Sequence, residues 1–295
     1  MPLSLATHWG PFHADDVLAC SLIREFVDGD APVTRTRDPK LLDEADVVFD
    51  VGGIFDPARR RFDHHQASYG GPKSSAGMVL DWIEADAHVD AELAGRLRAE
   101  LVEWVDAVDN GRETPVAGAC DFTRMVELCN AGNDTYAEFD AAFERAVGIA
   151  RTILRGVSAA YRVEAEARSV VLETMARTAR DGTNVMLFDR YIAWKPAYFD
   201  NGGATHCTEF VAFPGIDGSW RAVAIPPVLG SFDQKRSFPE EWAGLRDDEL
   251  AERTGVPGAK FCHKTRFIAV WDTREGLLEA MERYGLLTGT PAALD

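Results

Sequence analysis

Leu3-Ser-Leu-Ala-Thr-His-Trp-Gly-Pro-Phe-His-Ala-Asp-Asp-Val17 reads as a short strand ending at His8, a loop, and the start of a helix. The helix is expected over Ala14 to Val27, where Val17, Leu18, Leu22, Ile23 and Phe26 line one side at helical spacing. Working outward, Val33–Thr36 is a second strand, and Val47-Val-Phe-Asp-Val51 is a third. The third is almost wholly apolar, as a parallel strand covered on both faces must be. Ser74 or Ser75 caps a helix through Met78, Val79, Leu80, Trp82 and Ile83, and Glu92 to Val108 is another amphipathic helix. Strand, helix, strand, helix in this order predicts an α/β domain, a parallel sheet with helices on both faces.

From Thr135 to Thr178 the pattern is helical, with Gly148 and Gly156 as its few breakers. Strands dominate after Asn184: Val185–Phe188, Thr208–Phe213, Arg221–Ile225 and Phe267–Trp271, with a helix capped by Thr273. The reading is therefore two domains, residues 1–170 and a smaller mixed α/β domain over 171–295. The length of 295 residues agrees, at roughly 150 residues per domain.

Lys and Arg number 31 against 48 Asp and Glu, a formal net charge of −17. Such a chain does not coat nucleic acid or anionic lipid, both of which need a basic surface. The acid is unevenly placed: residues 1–160 hold 15 basic and 28 acidic residues, and 161–295 hold 16 and 20. Lys260, Lys264, Arg266 and Arg274 form a small basic stretch near the end. No apolar run is long enough to span a membrane, and Met1–Thr7 lacks the basic and apolar regions of a signal peptide. The five scattered cysteines, Cys20, Cys120, Cys129, Cys207 and Cys262, include no C-x-x-C pair. They read as reduced thiols in a cytoplasmic protein.

His8, His13, Asp15, Asp50, Asp63, His64, His65, Asp106 and Asp109 cluster at predicted strand ends and loops of the first half. Ligands of an open parallel sheet bind beyond the carboxyl ends of its strands, so several of these groups converge on one crevice. A lone Asp there is usually a turn residue or a cap. Imidazole and carboxylate together at successive strand ends instead suit Mn²⁺, Fe²⁺ or Zn²⁺, with Mg²⁺ where carboxylates dominate. Val51-Gly-Gly53 is a tight turn that turns Asp50 toward the crevice.

Six ordered motifs then resemble a known family: Thr7-His8-x-Gly10-x-Phe12-His13-Ala14-Asp15-Asp16, Arg35-Thr-Arg-Asp-Pro39, Asp50-Val-Gly-Gly53, Asp63-His-His-Gln66, Lys73-Ser-Ser-Ala-Gly77 and Val105-Asp-Ala-Val-Asp-Asn-Gly111. They are similar to those of the melanocyte-proliferating-gene family of the DHH phosphoesterase superfamily. Trp242-x-Gly244-Leu-Arg-Asp247, Gly255-Val-Pro-Gly258, Phe261-x-His263 and Thr273-Arg-Glu-Gly276 extend the likeness over nearly the whole chain. The resemblance implies a two-domain α/β protein with two divalent ions, Mn²⁺ ahead of Mg²⁺, in a cleft. It places His8, His13 and Asp50 on one ion and Asp15, Asp50, His64 and Asp109 on the other, with Asp50 bridging. Asp63 would orient a ligand, and His65 would face the substrate phosphate and could protonate the leaving oxygen. His13 stands where most of the superfamily has an Asp, which makes the first site richer in nitrogen.

The activity implied is a nuclease trimming single-stranded RNA, or DNA, from the 3′ end by two-metal hydrolysis. His263, Lys264 and Arg266 would grip a neighbouring phosphate, with Lys195 and Lys235 as weaker candidates. Phe12, Trp194 and Trp271 could stack on bases but suit a core better. A pyrophosphatase or short-oligonucleotide phosphodiesterase is the alternative enzyme, and a metal-binding regulatory module the alternative without turnover. A membrane partner is not expected, and a homo-oligomer is compatible with each reading.

Overall fold

The fold is taken from a computed structural model that describes residues 2–289. The chain divides between Tyr161 and Arg162 into two units, each with a five-stranded sheet. In the first unit, β1 (Leu5–Thr7), β2 (Val33–Arg35) and β3 (Val47–Phe49) are parallel, with Leu5 opposite both Val33 and Val47. The sheet is nevertheless mixed. Its edge strand β4 (Phe55–Asp56) runs antiparallel to β5 (Arg61–Phe62), which itself pairs parallel with β3. A single 3₁₀ turn, Pro57–Arg59, joins the two. A parallel return would need a crossover of a dozen or more residues. The wholly parallel sheet expected from the sequence is corrected on that point.

The strand order is β2-β1-β3-β5-β4. From β1 the chain passes through α1 (Ala14–Phe26) outward to β2. It then returns through α2 (Pro39–Glu44) past β1 to β3. Right-handed crossovers in opposite directions put the two helices on opposite faces. The side chains follow suit: Leu5, Val47 and Phe49 pack with Val17, Leu18 and Leu22 of α1 and with Val79 and Leu80 of α3 (Ser75–Ala85). Ala6, Val48 and Val51 point the other way, against Leu42 of α2. Leu18 is fully buried, and removing such a side chain costs about 2–5 kcal/mol. The reversal between β1 and β3 leaves a switch point at their carboxyl ends, where open α/β sheets take ligands.

The helix expected over Glu92 to Val108 is present as α4 (Ala91–Leu97) and α5 (Glu103–Asp109), joined by the π turn Arg98–Val102. After α6 (Phe122–Cys129), α7 runs unbroken over Tyr136–Asp181. The division at Tyr161 lies inside this helix, so no change of pattern marks it in the sequence.

The second unit orders its strands β6 (Val185–Leu187), β7 (Phe210–Pro214), β8 (Trp220–Ala224), β10 (Ile268–Trp271) and β9 (Ala259–Cys262). Only β6 and β7 are parallel. The period of two is plain in β7. Phe210 and Ala212 enter a core with Trp242 and Trp271, and Val211 and Phe213 enter another with Val171 and Met175 of α7. The remaining helices are α8 (Trp194–Asp200), α9 (Asp247–Thr254) and α10 (Arg274–Arg283), the last capped by Thr273 Oγ1 accepting from Gly276 N at 3.1 Å. Among the described residues no helix is long and apolar enough to cross a membrane.

Candidate metal centre

The carboxyl ends of β1, β3 and β5, the start of α1 and the end of α5 bring seven of the expected groups together. His8 follows β1 and Asp50 follows β3, both buried. Asp50 adopts φ +57°, and Gly52 and Gly53 also have positive φ. Left-handed backbone is costly for most side chains but tolerated by Asp and Asn. The turn therefore aims the Asp50 carboxylate back over the sheet edge. His8 Nε2 lies 3.2 Å from Asp50 Oδ2 and 3.1 Å from Asp16 Oδ2. His64 Nε2 lies 3.4 Å from Asp50 Oδ1, 3.2 Å from Asp109 Oδ2 and 3.7 Å from Asp15 Oδ2. Asp50 is thus the one carboxylate that faces both histidines.

Three groupings could each hold a metal ion: His8, His13 and Asp50; Asp50, His64 and His65; and His13, Asp15 and Asp109. His13 reaches two of these sets, where the sequence reading gave it one.

The donor chemistry fits cations. Asp15 Oδ1, Asp16 Oδ2, Asp50 Oδ2 and His64 Nε2 are all buried without a hydrogen-bond partner. Each such atom costs about 1–3 kcal/mol unless something compensates it, and buried carboxylates tolerate one another beside a bound cation. His8 offers one Nε2–H to two carboxylate oxygens, Asp16 Oδ2 at 3.1 Å and Asp50 Oδ2 at 3.2 Å, and so cannot satisfy both fully. Burial opposes charge on His8, yet Asp16 and Asp50 outweigh it and push its pKa up to about 10. His64 is raised in the same way, against burial, by Asp50 and Asp109. Asp15 is held well above the usual carboxylate range by burial and by the charges of Asp50, Asp109 and Asp16. Burial and Asp50 likewise raise Asp109, although His64 opposes them. Asp50 alone falls below that range, because His64 and His8 overcome its burial.

Asp63 does not join the cluster. Its Oδ2 accepts from Gly53 N at 2.6 Å, and its Oδ1 accepts from His65 N at 3.0 Å and pairs with His65 Nδ1 at 2.8 Å. A carboxylate acceptor places the proton on Nδ1, which leaves Nε2 of an imidazole 61% exposed turned to solvent.

Two contributors, Asp16 and Ser75, were given no role at the site from the sequence, and for Asp106 the capping role was not foreseen. Asp16 accepts from His13 N (3.0 Å) and Val17 N (2.8 Å) through Oδ1 while turning Oδ2 to His8. Its signal was its place three residues after the N-cap residue His13. Ser75 donates Oγ to Asp50 at 3.3 Å and N to Asp15 at 3.3 Å, which sets the N-terminus of α3 against the anionic cluster. Asp106 accepts from Ser74 N, Ser74 Oγ and Gly77 N at 2.9, 2.7 and 3.1 Å. Ser74 is the N-cap residue, but the capping carboxylate comes from α5, and no sequence-local rule reveals that.

A cavity of about 540 Å³ opens beside the cluster, lined by His13, Asp109, Pro11, Phe12, Val105 and Val108 among others. In the second unit, His263 and Lys195 line a separate cavity of about 610 Å³ with Phe267. Lys264 is exposed in the turn between β9 and β10, and Arg266 donates to Phe238 O at 3.5 Å. Lys235 is engaged internally: its Nζ donates to Gly203 O, Tyr198 Oη, His206 O and Thr208 O at 2.6, 2.9, 3.0 and 3.3 Å. Phe12, Trp194 and Trp271 are core residues, at most 3% exposed.

Sequence comparison places this arrangement in a lineage. A family model described as Uncharacterised protein family (UPF0160), the MYG1 exonuclease model, matches residues 4–284. The chain belongs to the MYG1 family. It is 41% identical over 288 residues to a MYG1 protein of Chlamydia muridarum, covering 95% of this chain and 96% of that one. It is 33% identical over 317 residues to a protein named MYG1 exonuclease in Homo sapiens, covering 94% and 84% respectively. MYG1 is the melanocyte-proliferating-gene family that the motifs resemble.

Proposed function

We propose that the chain is a metal-dependent exonuclease that hydrolyses the phosphodiester bonds of single-stranded nucleic acid, using two divalent ions, Mn²⁺ ahead of Mg²⁺. The observation that carries this reading is the convergence of Asp15, Asp16, Asp50 and His64, whose buried Oδ1, Oδ2, Oδ2 and Nε2 atoms form no hydrogen bond within the protein. The names of the MYG1 relatives agree with it. The preference for RNA and the 3′ to 5′ direction follow the family resemblance, and the free cysteines suit the reducing cytoplasm.

We assign His8, His13 and Asp50 to one ion, and Asp15, Asp50, His64 and Asp109 to the other. Bound divalent cations would supply Lewis acidity toward the phosphoryl oxygens and a water acidic enough to attack at neutral pH. The protein's own work is positional. Asp50, fixed by its left-handed turn and by Ser75, holds a shared carboxylate between the two histidines. Asp63 fixes the His65 ring through Nδ1 and leaves Nε2 free to face the leaving oxygen, to which it can pass a proton only after taking one up from solvent. The cavity bordered by His13 and Asp109 gives the departing nucleotide room against apolar walls. His263, Lys264 and Arg266 are assigned to the trailing phosphates.

The test is a divalent-metal screen on 5′- and 3′-labelled single strands of RNA and DNA. Single nucleotides released in Mn²⁺ and abolished by EDTA or by Asp50→Ala, with loss of bound metal in that variant, are expected. Intact strands under every metal, or an Asp50→Ala protein with unchanged metal content and activity, would overturn the reading.

A further inference from the structure

The motif Arg35-Thr-Arg-Asp-Pro39 contributes a side chain that the metal centre does not use. Arg35 is internal: it donates to Gly10 O at 2.6 Å, pairs with Asp140 at 3.0 Å and packs on Phe12 and Phe143. Arg37 points outward and forms no ion pair among the described residues. Its guanidinium carbon sits 5.6 Å over the ring of Trp9. Tyr136, at the start of α7, meets the same ring edge-on, with centroids 5.0 Å apart.

Trp9 is 42% exposed and Tyr136 is 61% exposed, so this trio is not core packing. Trp9 directly follows His8, whose Nδ1 lies 3.2 Å from Trp9 O. Arg37 also borders a groove of about 360 Å³ that includes Val51 and Gly52, the turn carrying Asp50. An exposed indole, an exposed phenol and a guanidinium without an ion pair are therefore grouped, with Trp9 next to His8 in the chain and Arg37 bordering the groove of the turn that carries Asp50.

We infer that Trp9, Arg37 and Tyr136 form a platform that stacks a nucleobase of the substrate strand next to the phosphate held at the metal centre. Indole and phenol rings offer sequence-tolerant stacking, and a guanidinium adds cation–π contact and a phosphate partner. Trp9 sets the position and Arg37 grips the adjoining phosphate. The inference deepens the exonuclease reading, because it names the part of the substrate, a base flanking the cleaved bond, that the first unit recognises.

The experiment uses oligo(rA) and oligo(dA) hexamers, intact and with one abasic residue placed first, second or third from the 3′ end. Affinity is read by fluorescence anisotropy of the full chain in Ca²⁺, so that the outcome does not depend on turnover. For the unaltered protein, one abasic placement should weaken binding about tenfold, the order of one stacked base. Trp9→Ala should weaken the intact hexamer by a similar factor and become indifferent to the abasic residue, while Trp9→Phe restores most of the difference. Arg37→Ala should lower the salt slope by roughly 0.7, the value for one phosphate on a single strand. Equal binding of intact and abasic hexamers overturns the platform, as does a Trp9→Phe protein no better than Trp9→Ala. A Trp9→Ala change in oligomeric state by size-exclusion chromatography with unaltered hexamer affinity also overturns it, and marks a protein contact instead. Failure of the exonuclease reading would show separately, as no cleavage of either hexamer in Mn²⁺.

Discussion

Asp15 is 1% exposed, and Asp16, Asp50 and Asp109 all raise its pKa through their charges. Its neutral form is the one that folding favours without metal. Because its folded pKa lies above the ordinary value of about 3.9, stability from the protonated form is present at low pH and is lost as pH rises through the folded value. Asp15→Asn removes that penalty. We expect the metal-free variant to unfold a few degrees higher than the parent at pH 7, equivalent to about 1–3 kcal/mol. The gap should close on acidification below about pH 4, where the unaltered Asp15 is protonated in both states. With Mn²⁺ present the order should reverse, since only the parent gains the full stabilisation of ion binding. Calorimetric melts with and without EDTA check both halves. A variant less stable than the parent in EDTA at pH 7 would show that Asp15 is satisfied within the protein.

The elements depend on contacts that sequence patterns hide. Leu3–His8, Ala14–Val27 and Val47–Val51 were legible because hydrophobic periodicity and the Gly52-Gly53 turn are local. The Asp106 cap on α3 was not, because its donors lie about thirty residues earlier in the chain, on Ser74 and Gly77. A Cβ on Gly77 would stand 2.1 Å from Asp106 Oδ2. Gly77→Ala must therefore displace the capping carboxylate, and a loss of about 2 kcal/mol is expected, the upper range for a lost cap. A denaturant midpoint unchanged by Gly77→Ala would contradict this. Lys235 was read as a substrate ligand because a lone Lys in a loop carries no sign of its partners. Three of its four internal bonds, to the carbonyls of Gly203, His206 and Thr208, make it a clamp on that segment. Lys235→Met should lower the melting temperature through stranded carbonyls, costing about 1–3 kcal/mol. A large change in oligonucleotide affinity without any change in melting would assign it to the substrate instead.

Across the whole molecule the α/β class was legible in the sequence, and the structure brings most of the expected His and Asp residues into three groupings that could hold a metal ion. The division between the units falls inside the unbroken helix α7, where no change of pattern marks it. Asp16 and Ser75 escaped because their roles depend on where α1 and α3 begin relative to β3. The charge of −17 also takes a definite meaning. Bound cations would offset part of the acid at Asp15, Asp16, Asp50 and Asp109, but the surface as a whole stays negative. Under the proposed function, strand capture would be local, through a few basic groups such as Arg37, and its salt dependence should be shallow. The slope of log affinity against log salt for a single strand should correspond to fewer than about six phosphates, as titrations from low to physiological salt would show. A steeper slope would require an extended basic track.

The left-handed backbone of Asp50 narrows what evolution or an engineer can place there. Most side chains at φ +57° strain the turn, whereas Asn shares the shape of Asp and its tolerance for that conformation. Asparagine is thus the one near-isosteric route to a folded but catalytically silent descendant. A lineage losing the proposed chemistry has a ready first step at position 50, and under that proposal the same exchange would give a stable decoy that holds a strand without cutting it.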